Sequence, residues 1–114
     1  MAKIYKIMTA QQWQAAQAAG RFDGAPIDLK DGYIHFSDAA TVRETAAKHF
    51  AGQNDLLLAA IEAEKLGDAL KWEISRGGAL FPHLYASLPL DAIEWIVPLP
   101  LGADNSHIFP AELP

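Results

Sequence analysis

Two short segments of this chain each place a histidine where it could do chemistry. One is Asp31-Gly32-Tyr33-Ile34-His35-Phe36-Ser37, the other Phe81-Pro82-His83-Leu84-Tyr85. Each imidazole is flanked by apolar residues and followed two positions later by a hydroxyl, on Ser37 or Tyr85. On a strand, residues i and i+2 share a face. Each segment would then carry an imidazole and a hydroxyl on one side and apolar groups on the other. Brought together, two such segments make a polar pocket with a hydrophobic backing. The plainer alternative is that each histidine is a hydrogen-bonded core or rim residue.

The polar side chains able to converge are Tyr33, His35, Ser37, Glu73, Arg76, His83 and Tyr85. Three chemistries use such a set. His35, His83 and Glu73 form a two-histidine, one-carboxylate metal set. No His-x-x-x-His spacing pairs them locally, so they would meet only through the tertiary fold, and no metal is expected. Serine hydrolysis would use Ser37 with His35, but there is no Gly-x-Ser-x-Gly elbow, and i, i+2 spacing suits a nucleophile–base pair poorly. The third is metal-free binding of a nucleotide or sugar. Histidine donates to ribose hydroxyls, tyrosine stacks on a flat heterocycle, and a glutamate stabilises positive charge developing at an anomeric carbon. Neither a Gly-x-Gly-x-x-Gly nor a phosphate loop is present, which excludes the Rossmann and P-loop modes at motif level.

Composition narrows the setting. The chain has 114 residues and is 51% hydrophobic and 20% charged, which is a globular composition. Its length predicts one domain over residues 1–114, with a core at about 3–100 and an irregular tail at 101–114. Such a domain buries about two-thirds of its unfolded surface, enough for one core. There is no cysteine, hence no disulfide framework, zinc-thiolate site or thiol nucleophile. A net charge of −5 opposes nucleic-acid binding. Arg43, Lys48, Lys71 and Arg76 are scattered. The N-terminus does not read as a signal peptide, and no stretch approaches the ~20 apolar residues needed to span a bilayer. A cytoplasmic protein, monomeric or a homodimer formed through the Trp95 strand and an exposed tail, is the expectation.

The elements that must position the histidines follow from periodicity. Lys3-Ile4-Tyr5-Lys6-Ile7 reads as an opening strand. Thr9-Ala10-Gln11-Gln12 matches a capping box, with Met8 and Trp13 at the positions of a hydrophobic staple. An alanine-rich helix follows and stops at Gly20. Arg21 to Asp31 reads as a long loop closed by the turn pair Asp31-Gly32. After the His35 strand, Ser37 or Asp38 caps a second helix reaching about Ala51, with Val42, Ala46, His49 and Phe50 as its buried stripe. Leu56 to Ile61 is a strand buried on both faces. Leu70, Trp72 and Ile74 alternate with Lys71, Glu73 and Ser75, predicting a half-buried strand with Glu73 on its polar face. Gly77-Gly78 precedes the His83 strand, and Glu94 to Val97 forms a last strand. Helices early and strands late predict an α+β domain with a mixed or antiparallel sheet.

The combination of Ile4-Tyr5-Lys6-Ile7, Asp28, the His35 segment, Trp72-Glu73 and the His83 segment resembles a small bacterial family, domain of unknown function 952. The resemblance spans roughly residues 3 to 100. It implies an ADP-ribosyltransferase-like fold, a split mixed β-sheet with two main helices in the N-terminal half. Enzymes of that fold hold NAD between the sheet halves with a His, a Tyr and a Glu in that chain order. Carried over, the resemblance makes His35, Glu73 and Tyr85 the catalytic candidates and Tyr33, Ser37, Arg76 and His83 the ligand-binding ones, with NAD as co-substrate. Glu73 precedes Tyr85, so that order is not kept. Glu94, the carboxylate that does follow, flanks Trp95 at a strand start. The implied function is binding of NAD or a related ADP-ribose nucleotide, with ADP-ribosyl transfer or NAD glycohydrolysis as the activity. The alternatives are a non-catalytic module for a small metabolite or a protein, and a His/Glu metal enzyme.

Overall fold

Thr9 ends the first strand and starts the first helix. In the computed structural model, which describes residues 2–111 and 113 with the side chain of Arg76 left aside, β1 is Lys3–Thr9 and α1 is Ala10–Ala19. The Thr9 hydroxyl accepts from the Gln12 amide at 3.0 Å, and the Gln12 side chain accepts from the Thr9 amide at 3.0 Å. The expected capping box therefore forms, and Met8 and Trp13 join the same core cluster. Replacing Thr9 with alanine is expected to cost about 1 kcal/mol of stability. A urea melt checks this, and an unchanged midpoint would refute it.

β4, Leu56–Glu62, runs between β1 and β8, Ile93–Pro98, in an antiparallel sheet ordered β1-β4-β8. A strand paired on both edges and covered on both faces explains its continuous apolar run. Period-two alternation splits its side chains, and those of β1, between two cores. Ile4, Met8, Ala59 and Ile61 enter one cluster; Tyr5, Ile7, Leu58 and Ala60 enter the other.

A second antiparallel sheet is ordered β3-β6-β5, from Ile34–His35, Leu80–Leu84 and Leu70–Ile74. A small pair joins β2, Arg21–Phe22, to β7, Leu88–Pro89. The two larger sheets meet at one bridge, where Tyr5 and Ser37 exchange backbone hydrogen bonds of 2.7 and 2.9 Å. The α+β class and the division into separate sheets follow the expectation. The mixed sheet does not, because every pairing among the described strands is antiparallel.

Four local expectations need correction. The stretch from Arg21 to Asp31 is not a loop: it holds β2 and a helix α2, Pro26–Asp31, with proline at its first turn and Gly32 in the left-handed region at φ 86° as its C-terminal stop. The next helix, α3, Val42–His49, begins later than expected, because Asp38 caps Thr41 and the turn before it. Its His49 is exposed while Val42 and Ala46 are buried. On β5 the faces are reversed. Trp72 and Ile74 are 43% and 74% exposed, while Glu73 is the partly covered residue. Finally, the tail is docked: Leu113 is buried with Leu99 and packs near Phe109, and His107 bonds the Gln53 carbonyl. Residues 103–106, Ile108 and Ala111 stay exposed, so the tail is docked at Leu113 and His107 and open elsewhere.

Candidate functional site

The antiparallel register sets the two histidines side by side. His35 on β3 stands directly opposite His83 on β6, and His83 stands opposite Lys71 on β5. Their rings lie 5.5 Å apart, edge to face. Alternation puts Tyr33, Tyr85 and Glu73 on the same side of this sheet. Tyr33 stacks on His83 with centroids 4.1 Å apart and touches Tyr85 at 5.2 Å. Tyr33 therefore spends its π face on an imidazole of the same chain.

Each histidine is held by carboxylate. His83 Nδ1 lies 2.8 Å from Glu73 Oε1, and the Tyr85 hydroxyl donates to the same oxygen at 2.7 Å. These donors, Tyr85 first and His83 second, hold the Glu73 carboxyl below its usual range. In return, the Glu73 hydrogen bond pushes the Tyr85 phenol up to about 12. On the other side, His35 Nδ1 lies 2.6 Å from Asp28 Oδ1, and Nε2 lies 2.9 Å from Asp31 Oδ2. Both ring nitrogens of His35 are thus occupied by carboxylate oxygens.

Asp28 is the hub of that half. It is almost fully buried and accepts from the His35 and Ala25 amides at 3.1 and 2.8 Å, besides the His35 ring. Its fourth partner is Lys6 Nζ at 3.0 Å, which also donates to the His35 carbonyl at 2.8 Å. Lys6 falls on the buried face of β1 between Ile4 and Met8, and so requires this anion. Burial alone would raise the Asp28 carboxyl. The His35 ring, the Lys6 charge and the two amides outweigh it and hold the pKa at about 2. Burial lowers the pKa of the Lys6 ammonium, with Asp28 opposing the shift. Gly24, at φ 120°, lets the chain pass close to this hub, since a Cβ there would sit 2.9 Å from the Asp28 Cβ.

A cavity of about 560 Å³ opens between the two large sheets. Its wall includes His35, Ser37, Phe81 and His83 from the strand segments, Lys6 from β1, and Thr45 and His49 from α3. That volume falls within the range of small-molecule sites. Of the expected site residues, His35, Ser37 and His83 reach the cavity. Tyr33, Glu73 and Tyr85 gather behind the histidines. The Arg76 side chain lies outside the described part. Ser37 bonds Thr45 Oγ1 at 2.9 Å rather than His35, so the serine-hydrolase pairing does not form. Among the described residues, no three His, Asp or Glu side chains converge as a metal-binding group; both ring nitrogens of His35, and Nδ1 of His83, face carboxylates instead. Glu94 lies apart, in a surface ion pair with Lys3.

Reading the sequence missed Lys6, Asp28 and Asp31 as site residues. For Asp28 a signal existed. Proline at the first helical position with an acid two residues on is a helix start, and that acid takes the Ala25 amide. Lys6 carried none, because its partner is 22 residues away.

This α+β arrangement of antiparallel sheets has solved counterparts. The crystal structure of protein CC0527 from Caulobacter crescentus is 51% identical, covers 93% of both chains and superposes with a TM-score of 0.90. Its double mutant matches at 50% identity and a TM-score of 0.90, again over 93% of each chain. Its solution NMR structure matches at 52% identity and 0.83, over 93% of this chain and 91% of that one. No curated protein matches. The family model described as protein of unknown function (DUF952) matches residues 7–96. The chain belongs to that family, as the histidine segments suggested. No helix among the described residues is long and apolar enough to cross a membrane.

Proposed function

We propose that this domain binds NAD or a related ADP-ribose nucleotide in the cavity between its two sheets, and that it belongs with the ADP-ribosyltransferase-like folds. One observation carries the reading: a cavity of about 560 Å³ at the split between sheets, with His35, Ser37 and His83 on its wall. Imidazole and hydroxyl groups suit ribose and amide groups, and the apolar wall from Ile7, Phe36 and Phe81 suits a flat base. The carboxylates near the histidines suit positive charge developing at an anomeric carbon. ADP-ribose transfer, to an acceptor or to water, is the corresponding activity, with Glu73 as the carboxylate that supports it through His83.

Calorimetric titration with NAD and with ADP-ribose tests the binding. Saturable heat with a Kd below about 1 mM is expected, worth more than about 4 kcal/mol. No heat and no thermal shift at millimolar ligand would sink the reading.

A further inference from the structure

We infer that His83 is the general base of a hydrolytic reaction at this site and that Glu73 is the residue that positions it. This rests on the proposed nucleotide binding and adds to it which group meets the reacting atoms.

The two histidines look alike in sequence but are wired differently. Both ring nitrogens of His35 face carboxylate oxygens, Asp28 at 2.6 Å and Asp31 at 2.9 Å. With a carboxylate oxygen against each nitrogen, that ring leaves neither of them open to a ligand. His83 has one anchored nitrogen, Nδ1, on Glu73 at 2.8 Å. Its Nε2 has no hydrogen-bond partner among the described residues, although the residue is 3% exposed and lines the cavity. A buried polar atom without a protein partner marks a place for a ligand or water.

The tautomer follows from the anchor. Glu73 Oε1 accepts from both Tyr85 and His83, so the His83 proton sits on Nδ1 and the lone pair on Nε2. The Tyr33 ring, stacked at 4.1 Å, keeps the imidazole from turning. A carboxylate, an imidazole and a free nitrogen in a cavity make a general-base unit.

The step balances without metal or oxidant. His83 Nε2 takes a proton from water as the water oxygen bonds to the anomeric carbon of the nicotinamide ribose. The carbon–nitrogen bond breaks, and its electron pair neutralises the pyridinium. The products are ADP-ribose, nicotinamide and one proton, first held on His83.

The experiment follows nicotinamide release from NAD by chromatography, beside calorimetry on the same preparations. The wild-type chain is expected to release nicotinamide and ADP-ribose in equal amounts. His83→Ala should lower kcat about 100-fold or more, with partial recovery on adding imidazole. Glu73→Gln, at a partly exposed position that folding tolerates, should lower kcat at least about tenfold with KM changed less than about twofold. Binding heat without nicotinamide release in the wild type would overturn this inference and leave the nucleotide reading standing. Unchanged kcat in Glu73→Gln would overturn it as well, even if His83→Ala fails to fold. Absence of binding heat would remove both.

Discussion

Replacing Asp28 with alanine is expected to lower folding stability by about 3–5 kcal/mol, the cost of leaving one member of a buried ion pair alone. Asp28 is 1% exposed and Lys6 is 7% exposed, so water cannot take the place of the lost carboxylate. The same change orphans the Ala25 amide and one ring nitrogen of His35. Urea denaturation of the two proteins reads the difference directly; a loss under about 1 kcal/mol would show that the hub is dispensable. The pair also sets an acid limb. The folded-state pKa of Asp28, about 2, lies below its ordinary value of 3.8. A depressed carboxyl contributes stability that is fully present above the unfolded pKa and is lost as pH falls through the folded one. That contribution amounts to about 2 kcal/mol. Between about pH 4 and 2 the wild type should therefore lose this increment, and Asp28→Ala should not.

His35→Ala is expected to weaken binding of ADP-ribose by about 10- to 100-fold, because the ring is part of the cavity wall and holds Asp28 and Asp31 in place beside it. It should cost less than about 2 kcal/mol of stability, a common single-mutant effect. Asp28 keeps Lys6 and both amides in this variant, and the His35 ring is only partly covered, with a side-chain exposure of 31%. Calorimetry and a urea melt on one preparation separate the two effects. A variant that unfolds outright would make His35 a structural residue. One that binds as before would take it out of the site.

These contrasting outcomes reflect what a one-dimensional pattern holds. The capping box at Thr9 and Gln12 was legible because its partners lie three residues apart. That each histidine segment carries an imidazole and a hydroxyl on one face was legible from its i, i+2 pattern; that the two segments are paired neighbours was not, because the pattern does not say which strands pair. β5 was misread for a physical reason. Alternation divides Trp72 and Ile74 from Lys71 and Glu73, but it does not say which side meets the core. Here the polar side faces the histidines, and the apolar side is left largely in solvent. Lys6 and Asp28 stayed hidden because a buried charge is explained only by a partner that the fold supplies. The stretch from Arg21 to Asp31 looked like a loop since its strand has two residues and its helix six, too short to show a period.

The join between the sheets has a mechanical meaning. Each sheet is a continuous ladder, yet between them run two backbone hydrogen bonds at Tyr5 and Ser37 and the Lys6 links to Asp28 and the His35 carbonyl. The sheets also share one hydrophobic core, in which Ile4, Met8 and Ile61 of the first pack with Ile34 and Leu84 of the second. The His35–His83 register belongs to the second sheet alone, so the alignment of the two imidazoles is set by one ladder and does not depend on how the two sheets are joined.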